Sequence, residues 1–347
     1  MKYRKFFSLA VCLLILVPFS LAGCGGGGGD NAINSKQPSN TPAIVNTMDL
    51  KINKIETDCS DPGVTKVTVY ASVIDQNGDS IIGLTTSNFS LYEGSTQIDP
   101  NDVDVSFVDQ LQLPISVGLL MDYSTSMLLA GATNINPANP GPMEKAVINF
   151  IDQLKPNDLA EIIKFANDIY VPQSFIGDKA ALIDAVYNMP PWITAGYSAI
   201  YDSVKRAIED FPSEPDRKAV VLITDGWDNN STIGLDDLID LAIANNVSIY
   251  AIGLDHSLNK QDDSDNLYLD VDSLKQMTEE TGGHYYQIES TDEIFAVYQQ
   301  ISDILLLDQY VLKYNSPNHG GVDVTLDIWV DYNGLEAFDF GQFVSCP

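Results

Sequence analysis

Three short polar segments of this chain carry side chains that can bind a cation. Residues 122–126, Asp-Tyr-Ser-Thr-Ser, directly follow an apolar run at residues 115–121. Residues 224–226, Thr-Asp-Gly, directly follow a second apolar run at residues 219–223. The third segment, residues 196–202, reads Gly-Tyr-Ser-Ala-Ile-Tyr-Asp and leads into a predicted helix. Because ligands of doubly wound sheets bind beyond the carboxyl ends of the strands, we expect these segments to meet at one sheet edge.

The donor atoms of these segments are those of a site for a hard cation. Together the segments supply two carboxylates and several hydroxyls. Oxygen ligands of this kind suit Mg²⁺ or Ca²⁺, and neutral hydroxyls beside only two carboxylates leave some coordination positions to water. The sequence therefore predicts a cation that still accepts a further anionic ligand from outside the chain.

The elements that must position these segments alternate between strands and helices. Continuous apolar runs at residues 115–121, 160–165, 219–224 and 247–253 are typical of strands buried on both faces of a parallel sheet. Periodic segments between and after these runs predict helices at residues 143–154, 179–188, 198–210, 236–245, 274–280 and 292–307, with a short strand at 285–288. This order predicts an α/β fold with a doubly wound, mostly parallel sheet and right-handed crossovers.

The flanking regions have the alternation of half-buried strands. Residues 67–73 alternate apolar and polar side chains, Asn77-Gly78 suits a tight hairpin, and residues 88–92 form a second strand pattern. Residues 322–330 show the same alternation near the C-terminus. We expect the two regions to form one small, split β-sandwich-like domain, the alternative being a separate C-terminal hairpin.

The first residues have the composition of an export signal. Residues 1–5 carry three basic side chains, and an apolar run at 6–21 leads to Leu-Ala-Gly-Cys at 21–24. This ending resembles the bacterial lipobox, in which the cysteine is lipidated after cleavage; an ordinary signal peptide is the alternative. On this interpretation Cys24 is the lipidation site, and Gly25 after it favours the outer membrane or cell surface over the inner membrane.

The domain boundaries follow from these patterns. A Gly-, Asn-, Ser- and Pro-rich stretch after the cysteine cannot bury a core and predicts a flexible tether. The predicted organisation is a signal peptide at 1–23, a tether at 24–47, an N-terminal β-domain at 48–112, the α/β domain at 113–307 and a C-terminal β-segment at 308–347.

Charge and composition exclude several classes of function. The chain has 18 Lys and Arg against 48 Asp and Glu, a net charge of −30, so nucleic-acid phosphates would be repelled. Only 3 His and 4 Cys are present, which argues against zinc sites built from histidine or cysteine. No Ser-His-Asp spacing is evident, and we expect neither an enzyme nor a small-molecule substrate.

The polar segments resemble the von Willebrand factor A-type domain with its metal-ion-dependent adhesion site. The signature of that site is Asp-x-Ser-x-Ser, a later Thr and a later Thr-Asp-Gly. Asp122, Ser124 and Ser126 match the first element, and Asp225 matches the last. The resemblance covers roughly residues 114–308 and implies a Rossmann-like α/β fold that binds a divalent cation.

The middle position of the signature departs from the family pattern. Ser198 stands where the family has Thr, with Tyr197 where a second Gly is usual; Thr194 is the fallback ligand. The resemblance thus implies a site for Mg²⁺, with Mn²⁺ or Ca²⁺ as alternatives. Its ligands are Asp122, Ser124, Ser126, Ser198 and Asp225. The alternative, in which Ser124 and Ser198 merely cap helices, does not require two aspartates at strand ends.

The cysteines predict one disulfide. Cys12 is lost with the signal and Cys24 is lipidated, which leaves Cys59 and Cys346, one in each β-region. An exported protein can keep a disulfide, so we expect these two residues to pair. Two free or separately buried thiols are the alternative.

Aromatic residues next to the expected ligands predict the rim of a binding site. These are Tyr123, Tyr197, Trp227 and, further upstream, Trp192. Aromatic side chains are enriched among the residues that dominate protein interfaces. The chain is strongly acidic, so we expect a protein partner to present one Asp or Glu to the cation, with these rings around it.

The function that these observations favour is a lipid-anchored, extracytoplasmic binding or adhesion module. The membrane is contacted only through the N-terminal lipid. A structural subunit of a cell-envelope or pilus-associated assembly is the alternative, and a metal-dependent hydrolase is disfavoured because no general base is evident.

Overall fold

The structure is a computed structural model that describes residues 45–134, 136–188, 196–213, 217–226, 228–255 and 269–347. All of these residues belong to one compact unit, Val45–Pro347. The predicted signal peptide, the lipidation site Cys24 and nearly all of the predicted tether lie outside the described residues.

The strands of the described residues form three sheets. In chain order they are β1 (Met48–Asp58), β2 (Thr65–Asp75), β3 (Phe89–Glu93), β4 (Thr96–Gln97), β5 (Asp104–Phe107), β6 (Ile115–Asp122), β7 (Leu159–Phe165), β8 (Ile169–Ile176), β9 (Arg217–Thr224), β10 (Val247–Leu254), β11 (Tyr285–Ile288), β12 (Tyr310–Ser316), β13 (Asp323–Tyr332) and β14 (Leu335–Val344).

The helices of the described residues follow most of the strands of the central sheet. They are α1 (Val108–Leu111), α2 (Thr125–Leu129), α3 (Pro142–Gln153), α4 (Lys179–Tyr187), α5 (Ile200–Asp210), α6 (Leu235–Ala244), α7 (Val271–Glu280) and α8 (Ile294–Asp303). A π-helical turn, Ile304–Asp308, extends α8 towards β12. Within the described part of the chain, no helix has the length and apolar character that crossing a membrane requires.

The central sheet has six strands in the order β11-β10-β9-β6-β7-β8. Neighbouring strands are parallel except β8, which pairs antiparallel with β7 at one edge. Every residue of β6 is buried, as the apolar run at 115–121 predicted. The expected doubly wound, mostly parallel sheet is confirmed.

Helices cover both faces of the central sheet, so each face has its own core. On one face, Val117, Leu119 and Met121 of β6 pack in a cluster with buried residues of α3, α4 and α8. On the other face, Leu120 packs in a cluster with buried residues of α5, α6 and α7. Burial on both faces explains why the central strands are continuous apolar runs rather than alternating ones.

The N- and C-terminal segments together form two antiparallel sheets, ordered β1-β2-β12-β5 and β14-β13-β3-β4. The C-terminal strand β12 lies between β2 and β5, and β13 pairs with β3. Side chains of both sheets share one hydrophobic core, which includes Val69, Leu91, Leu312 and Ile328. The expected β-sandwich-like part built from both ends of the chain is therefore present, and the separate C-terminal hairpin is not.

Arg217, the first residue of β9, connects the β-sandwich-like part to the central sheet. Its guanidinium donates hydrogen bonds to the carbonyls of Leu113 and Leu305 and to Oε1 of Gln309. These acceptors lie where the chain enters the central sheet and where it leaves it. Burial lowers the pKa of Arg217 to about 10, so the side chain stays cationic at neutral pH.

The predicted disulfide between Cys59 and Cys346 is present, with the two Cα atoms 5.4 Å apart. Cys346 is buried, and its N–H donates to Oγ1 of Thr65 at the start of β2. The bond therefore attaches the C-terminal residues to the N-terminal hairpin.

Some elements differ from their predictions. β8 was not predicted, because it lacks a continuous apolar run and contains Pro172. The helix predicted at 198–210 begins only at Ile200, which leaves Ser198 in the preceding loop.

The disulfide gives a test of the split arrangement. Cys59→Ser should lower the free energy of unfolding by about 2–5 kcal/mol, because the bond closes a very long loop of the unfolded chain. Thermal melting with and without a reductant measures this. The reductant should lower the melting temperature of the wild type and leave that of Cys59→Ser unchanged; a wild type insensitive to reduction would contradict the assignment.

Candidate cation site

Asp122 ends strand β6 and is fully buried. Its Oδ1 accepts a hydrogen bond from the N–H of Ser124 at 2.7 Å, and its Oδ2 accepts one from Oγ1 of Thr224 at 2.6 Å. Thr224 is the last residue of β9, whose parallel register with β6 places Met121 opposite Ile223. The two strands therefore end side by side, and their last residues hold each other in place.

The two serines of the first segment link Asp122 to the second carboxylate. Oγ of Ser124 lies 3.1 Å from Oγ of Ser126, and the hydroxyl of Ser126 donates to Oδ1 of Asp225 at 2.7 Å. Ser124 is the residue before α2, yet its side chain makes no capping hydrogen bond. The helix-capping alternative therefore does not explain Ser124.

Ser198 joins the same cluster from the loop before α5. Its side-chain oxygen is 4.0 Å from the position that a Cβ on Gly226 would take, which places it beside the Asp225–Gly226 backbone. The N–H of Ser198 donates to Oδ1 of Asn229 at 2.8 Å, and the N–H of Asn229 donates back to the Ser198 carbonyl. The residue that precedes α5 is Ala199, so Ser198 is not a helix cap either.

The three segments thus meet at the carboxyl end of the central sheet, as expected. Asp122, Ser124, Ser198 and Asp225 are buried, whereas Ser126 is partly exposed. The site is therefore reachable from solvent on the side of Ser126. The fallback ligand Thr194 lies outside the described residues.

A network behind the site was not expected from the sequence. Thr224 was included only as part of a motif, and Asp228 was not among the predicted site residues. Oδ1 of Asp228 accepts from the N–H of Tyr201 and from the hydroxyl of Ser231. Since the first N–H groups of a helix have no partner within it, these contacts tie the loop after β9 to the start of α5.

Asp202 and Asn167 extend this network. Oδ2 of Asp202 accepts from the N–H of Thr232 at 2.9 Å, and Oδ1 of Asn167 accepts from the N–H of Tyr197 at 2.8 Å. The run of Asp and Asn after Thr-Asp-Gly could have revealed Asp228 and Asn229, because these side chains commonly accept from nearby backbone N–H groups. Asp202 and Asn167 lie outside this run.

Electrostatics at the site favour a bound cation. Burial, and next the neighbouring carboxylate of Asp225, raise the pKa of Asp122 to about 7. The hydrogen bonds from Thr224 and Ser124 lower this pKa, but by less. Two carboxylates this close repel each other when both are ionised, and a divalent cation between them removes that repulsion. A divalent cation between the two carboxylates would therefore lower the cost of ionising both of them.

The donor set fits a hard divalent cation. It consists of two carboxylates and three hydroxyls, which is the oxygen chemistry of Mg²⁺ rather than the nitrogen and sulfur chemistry of zinc. Two carboxylates alone supply few ligands, so the hydroxyls of Ser124, Ser126 and Ser198 complete the proposed donor set.

Two of the four expected rim residues, Tyr123 and Tyr197, lie in the described parts of the chain. Tyr123 is 4% exposed, lies in the core under α3, and donates its hydroxyl to Oε1 of Glu144 at 2.8 Å. The prediction that Tyr123 lines the rim is wrong, because this side chain turns into the core beside β6. Tyr197 is 56% exposed and remains a rim candidate. Trp192 and Trp227 lie outside the described residues.

Comparison with known families agrees with this topology. The family model of the von Willebrand factor type A domain matches residues 117–300, more than half of the chain, and the chain belongs to this family. An uncharacterized protein of Borreliella burgdorferi is 28% identical over 188 residues, 49% of this chain and 52% of that protein. The chain therefore spans about half the length of this curated relative.

Solved structures include several distant likenesses. A von Willebrand factor type A protein from Catenulispora acidiphila has a TM-score of 0.45 and 12% identity, over 86% of this chain and 73% of that one. Proximal thread matrix protein 1 from the mussel byssus, described with a zinc-occupied MIDAS motif, has a TM-score of 0.47 and 19% identity, over 62% and 50%. BatB from Bacteroides thetaiotaomicron has a TM-score of 0.40 and 19% identity, over 55% and 98%.

The variant Asp122→Asn tests two effects of the Asp122 carboxylate: the loss of stability that it causes without a cation, and its part in binding a cation. The amide can still accept from Ser124 and can donate to Thr224, so the fold should be kept. The raised pKa means that wild type in EDTA loses stability as the pH rises from about 4 to about 7, because the folded state holds the proton more tightly. In EDTA at pH 8 the variant should therefore melt at a higher temperature than wild type.

The same variant should lose the rise in melting temperature that Mg²⁺ gives the wild type. Asp237→Asn, at an exposed position of α6, is the matched control and should behave as wild type. A normal Mg²⁺-dependent rise in Asp122→Asn would overturn the site assignment.

Thr224→Val tests whether the hydroxyl of Thr224 positions Asp122. The substitution keeps the shape of the side chain and removes the donor to Oδ2, so we expect Mg²⁺ affinity to fall by roughly tenfold to a hundredfold, as for other groups that orient metal ligands. Titration calorimetry measures this. Thr224→Ser keeps the hydroxyl and should restore binding; equal affinities for wild type and Thr224→Val would show that the hydrogen bond does not matter.

Proposed function

We propose that this protein is an extracytoplasmic binding module that engages an acidic group of a protein partner through a divalent cation. The observation that carries the proposal is the chain of hydrogen bonds that links Asp122 to Asp225 through Ser124 and Ser126, at an edge open to solvent. A cation held there by Asp122, Ser124, Ser126, Ser198 and Asp225 would supply positive charge that a carboxylate from outside can neutralise.

The metal that we propose is Mg²⁺, with Mn²⁺ or Ca²⁺ as alternatives. All five donors are oxygens, and only two are charged, which suits a small hard ion that keeps part of its water. The role of the chain is to hold these oxygens in place, with Thr224 fixing Asp122 and Asn229 fixing the Ser198 loop.

The module is proposed to be non-catalytic. Metal-assisted hydrolysis needs a general base or a nucleophile beside the metal. His284 packs against Tyr286 in β11, and His319 lies in the turn before β13, while His256 lies outside the described residues. The proposal of a non-catalytic module is supported by the side chains of the described site, which are proposed metal ligands or residues that orient those ligands.

The proposed location is the bacterial cell envelope, with the chain anchored by a lipid on Cys24. The support is the sequence of residues 1–24 and the Cys59–Cys346 disulfide, which suits an oxidising compartment. Gly25 favours the outer membrane or cell surface. The strongly acidic chain, with a net charge of −30, favours a partner contact centred on the cation.

Crosslinking and pull-down from intact cells test the proposal. In Mg²⁺ the wild type should recover a partner crosslinked through an Asp or Glu, and both EDTA and Asp122→Asn should abolish this recovery. Asp237→Asn should recover the partner normally. Recovery of the same partner in excess EDTA would rule out the cation-bridged mechanism.

Tyr197→Ala tests the rim. If the exposed ring of Tyr197 contacts the partner, its loss should weaken partner binding by about 1 kcal/mol or more, while Mg²⁺ affinity stays that of the wild type. Binding titrations with the recovered partner and calorimetry with Mg²⁺ give the two numbers. A parallel loss of Mg²⁺ affinity would mean that Tyr197 supports the site rather than the partner contact.

A further inference from the structure

The outward face of the sheet β14-β13-β3-β4 carries a group of exposed aromatic rings. This sheet is not the one that carries the cation site. Strand β13 alternates strictly: Val324, Leu326, Ile328 and Val330 are buried in the shared core, whereas Trp329 is 43% exposed. In an ordinary half-buried sheet the solvent-facing positions are polar. The rings on this face therefore need a separate explanation.

The register places the rings next to one another. Trp329 lies opposite Phe338 on β14, with ring centroids 4.5 Å apart, and Phe338 stacks on Phe340 at 6.3 Å. Phe340 is 59% exposed and lies opposite Asp327, whose other neighbour is Tyr92 of β3. These side chains, Trp329, Phe338, Phe340 and Tyr92, are here called the aromatic face.

The polar residues among these rings are acidic. Asp323, Asp327, Asp331 and Glu336 occupy the same outward positions of β13 and β14. The four strands of the sheet contain no Lys or Arg. Within the described parts of the chain, none of the ion pairs includes one of these four carboxylates. The face thus has an uncompensated negative charge beside exposed rings.

A groove runs along one side of this face. It has a volume of about 520 Å³ and is lined by Trp329, Asp331 and Glu336 together with Ser90 and Asn88. The groove therefore offers a ring, two carboxylates and neutral hydrogen-bonding groups to whatever enters it.

We propose that the aromatic face binds a basic segment of a protein partner, with Arg or Lys side chains packed on the rings and paired with the carboxylates. A guanidinium stacks on an aromatic ring and binds a carboxylate at the same time, which is the combination that this face offers. An acidic ligand would be repelled, and a purely apolar one would bury four carboxylates without partners. Charge complementarity thus selects a cationic occupant.

This surface is separate from the cation site and goes beyond the proposed function. The cation site is expected to take an acidic group, whereas the aromatic face takes a basic one. Because the two lie on different sheets, loss of one activity should leave the other intact.

The experiment uses the purified full chain and a fluorescent peptide of alternating arginine and glycine with an amidated C-terminus. Anisotropy titrations are made in EDTA, so that the cation site does not contribute, at two salt concentrations. The same peptide with glutamine in place of arginine, and a series of neutral oligosaccharides, are the comparison ligands.

The variants are matched in pairs. Trp329→Ala and Phe340→Ala remove rings from the face, and Phe295→Ala removes a ring that is 48% exposed on α8. The double variant Asp331→Asn/Glu336→Gln removes two charges from the groove, and Asp237→Asn/Asp240→Asn removes two exposed charges from α6. Melting temperatures show which variants keep the fold. Phe340→Ala removes the most exposed ring of the aromatic face, so it tests the proposal even if Trp329→Ala destabilises the sheet.

We expect the arginine peptide to bind, more weakly at high salt, and the glutamine peptide not to bind. Either ring variant and the groove double variant should weaken binding by roughly tenfold, as expected for a hot-spot residue, while Phe295→Ala and the α6 double variant should not. Equal losses in the groove and α6 variants, or wild-type binding by Phe340→Ala, would show only general attraction to an acidic protein and overturn the proposal. Binding of an oligosaccharide or self-association through the rings, without binding of the arginine peptide, would also overturn it.

Discussion

Two carboxylates buried side by side at the ends of neighbouring parallel strands are the constraint on which this structure depends. Strands β6 and β9 are neighbours in parallel register, and Asp122 and Asp225 lie at their carboxyl ends. The two carboxylates are therefore brought close together. Burial, and next the charge of Asp225, raise the pKa of Asp122 to about 7, so ionising both carboxylates together is costly. The hydrogen bonds from Ser124, Thr224 and Ser126 reduce this cost without removing it. A cation would remove the remainder, which is the basis of the binding function that we propose.

Strand β9 connects the two parts of the structure. Its first residue, Arg217, binds carbonyls at the points where the chain passes between the β-sandwich-like part and the central sheet. Its last residue, Thr224, holds Asp122. The amino end of β9 thus contacts the segments that lead to the β-sandwich-like part, and its carboxyl end lies at the proposed cation site. Asp228 and Asn229 there accept hydrogen bonds from the start of α5 and the segment that leads into it, and tie the two loops together.

The predictions from sequence succeeded for strands with a clear pattern, either apolar throughout or alternating, and failed where a strand has neither pattern. Central strands such as β6 are apolar throughout because both faces are covered, and the residues that end them were identified correctly. Strand β8 is half-buried along its length and contains Pro172, which an edge strand tolerates, so neither period nor composition revealed it. Tyr123 was misplaced because spacing along the chain does not show which way a residue after a strand turns. The role of Thr224 depends on the register of two strands, which no local pattern contains.

The most direct test of the central claim is a crystal structure of the protein grown with Mn²⁺, with anomalous scattering recorded at the manganese edge. Manganese substitutes for Mg²⁺ at oxygen sites and is located by its signal without reference to the protein coordinates. The expected result is an anomalous peak in contact with the oxygens of Asp122, Ser124 and Ser126, close to Asp225 and Ser198. A density map with both carboxylates ordered and with manganese bound only elsewhere would contradict the claim.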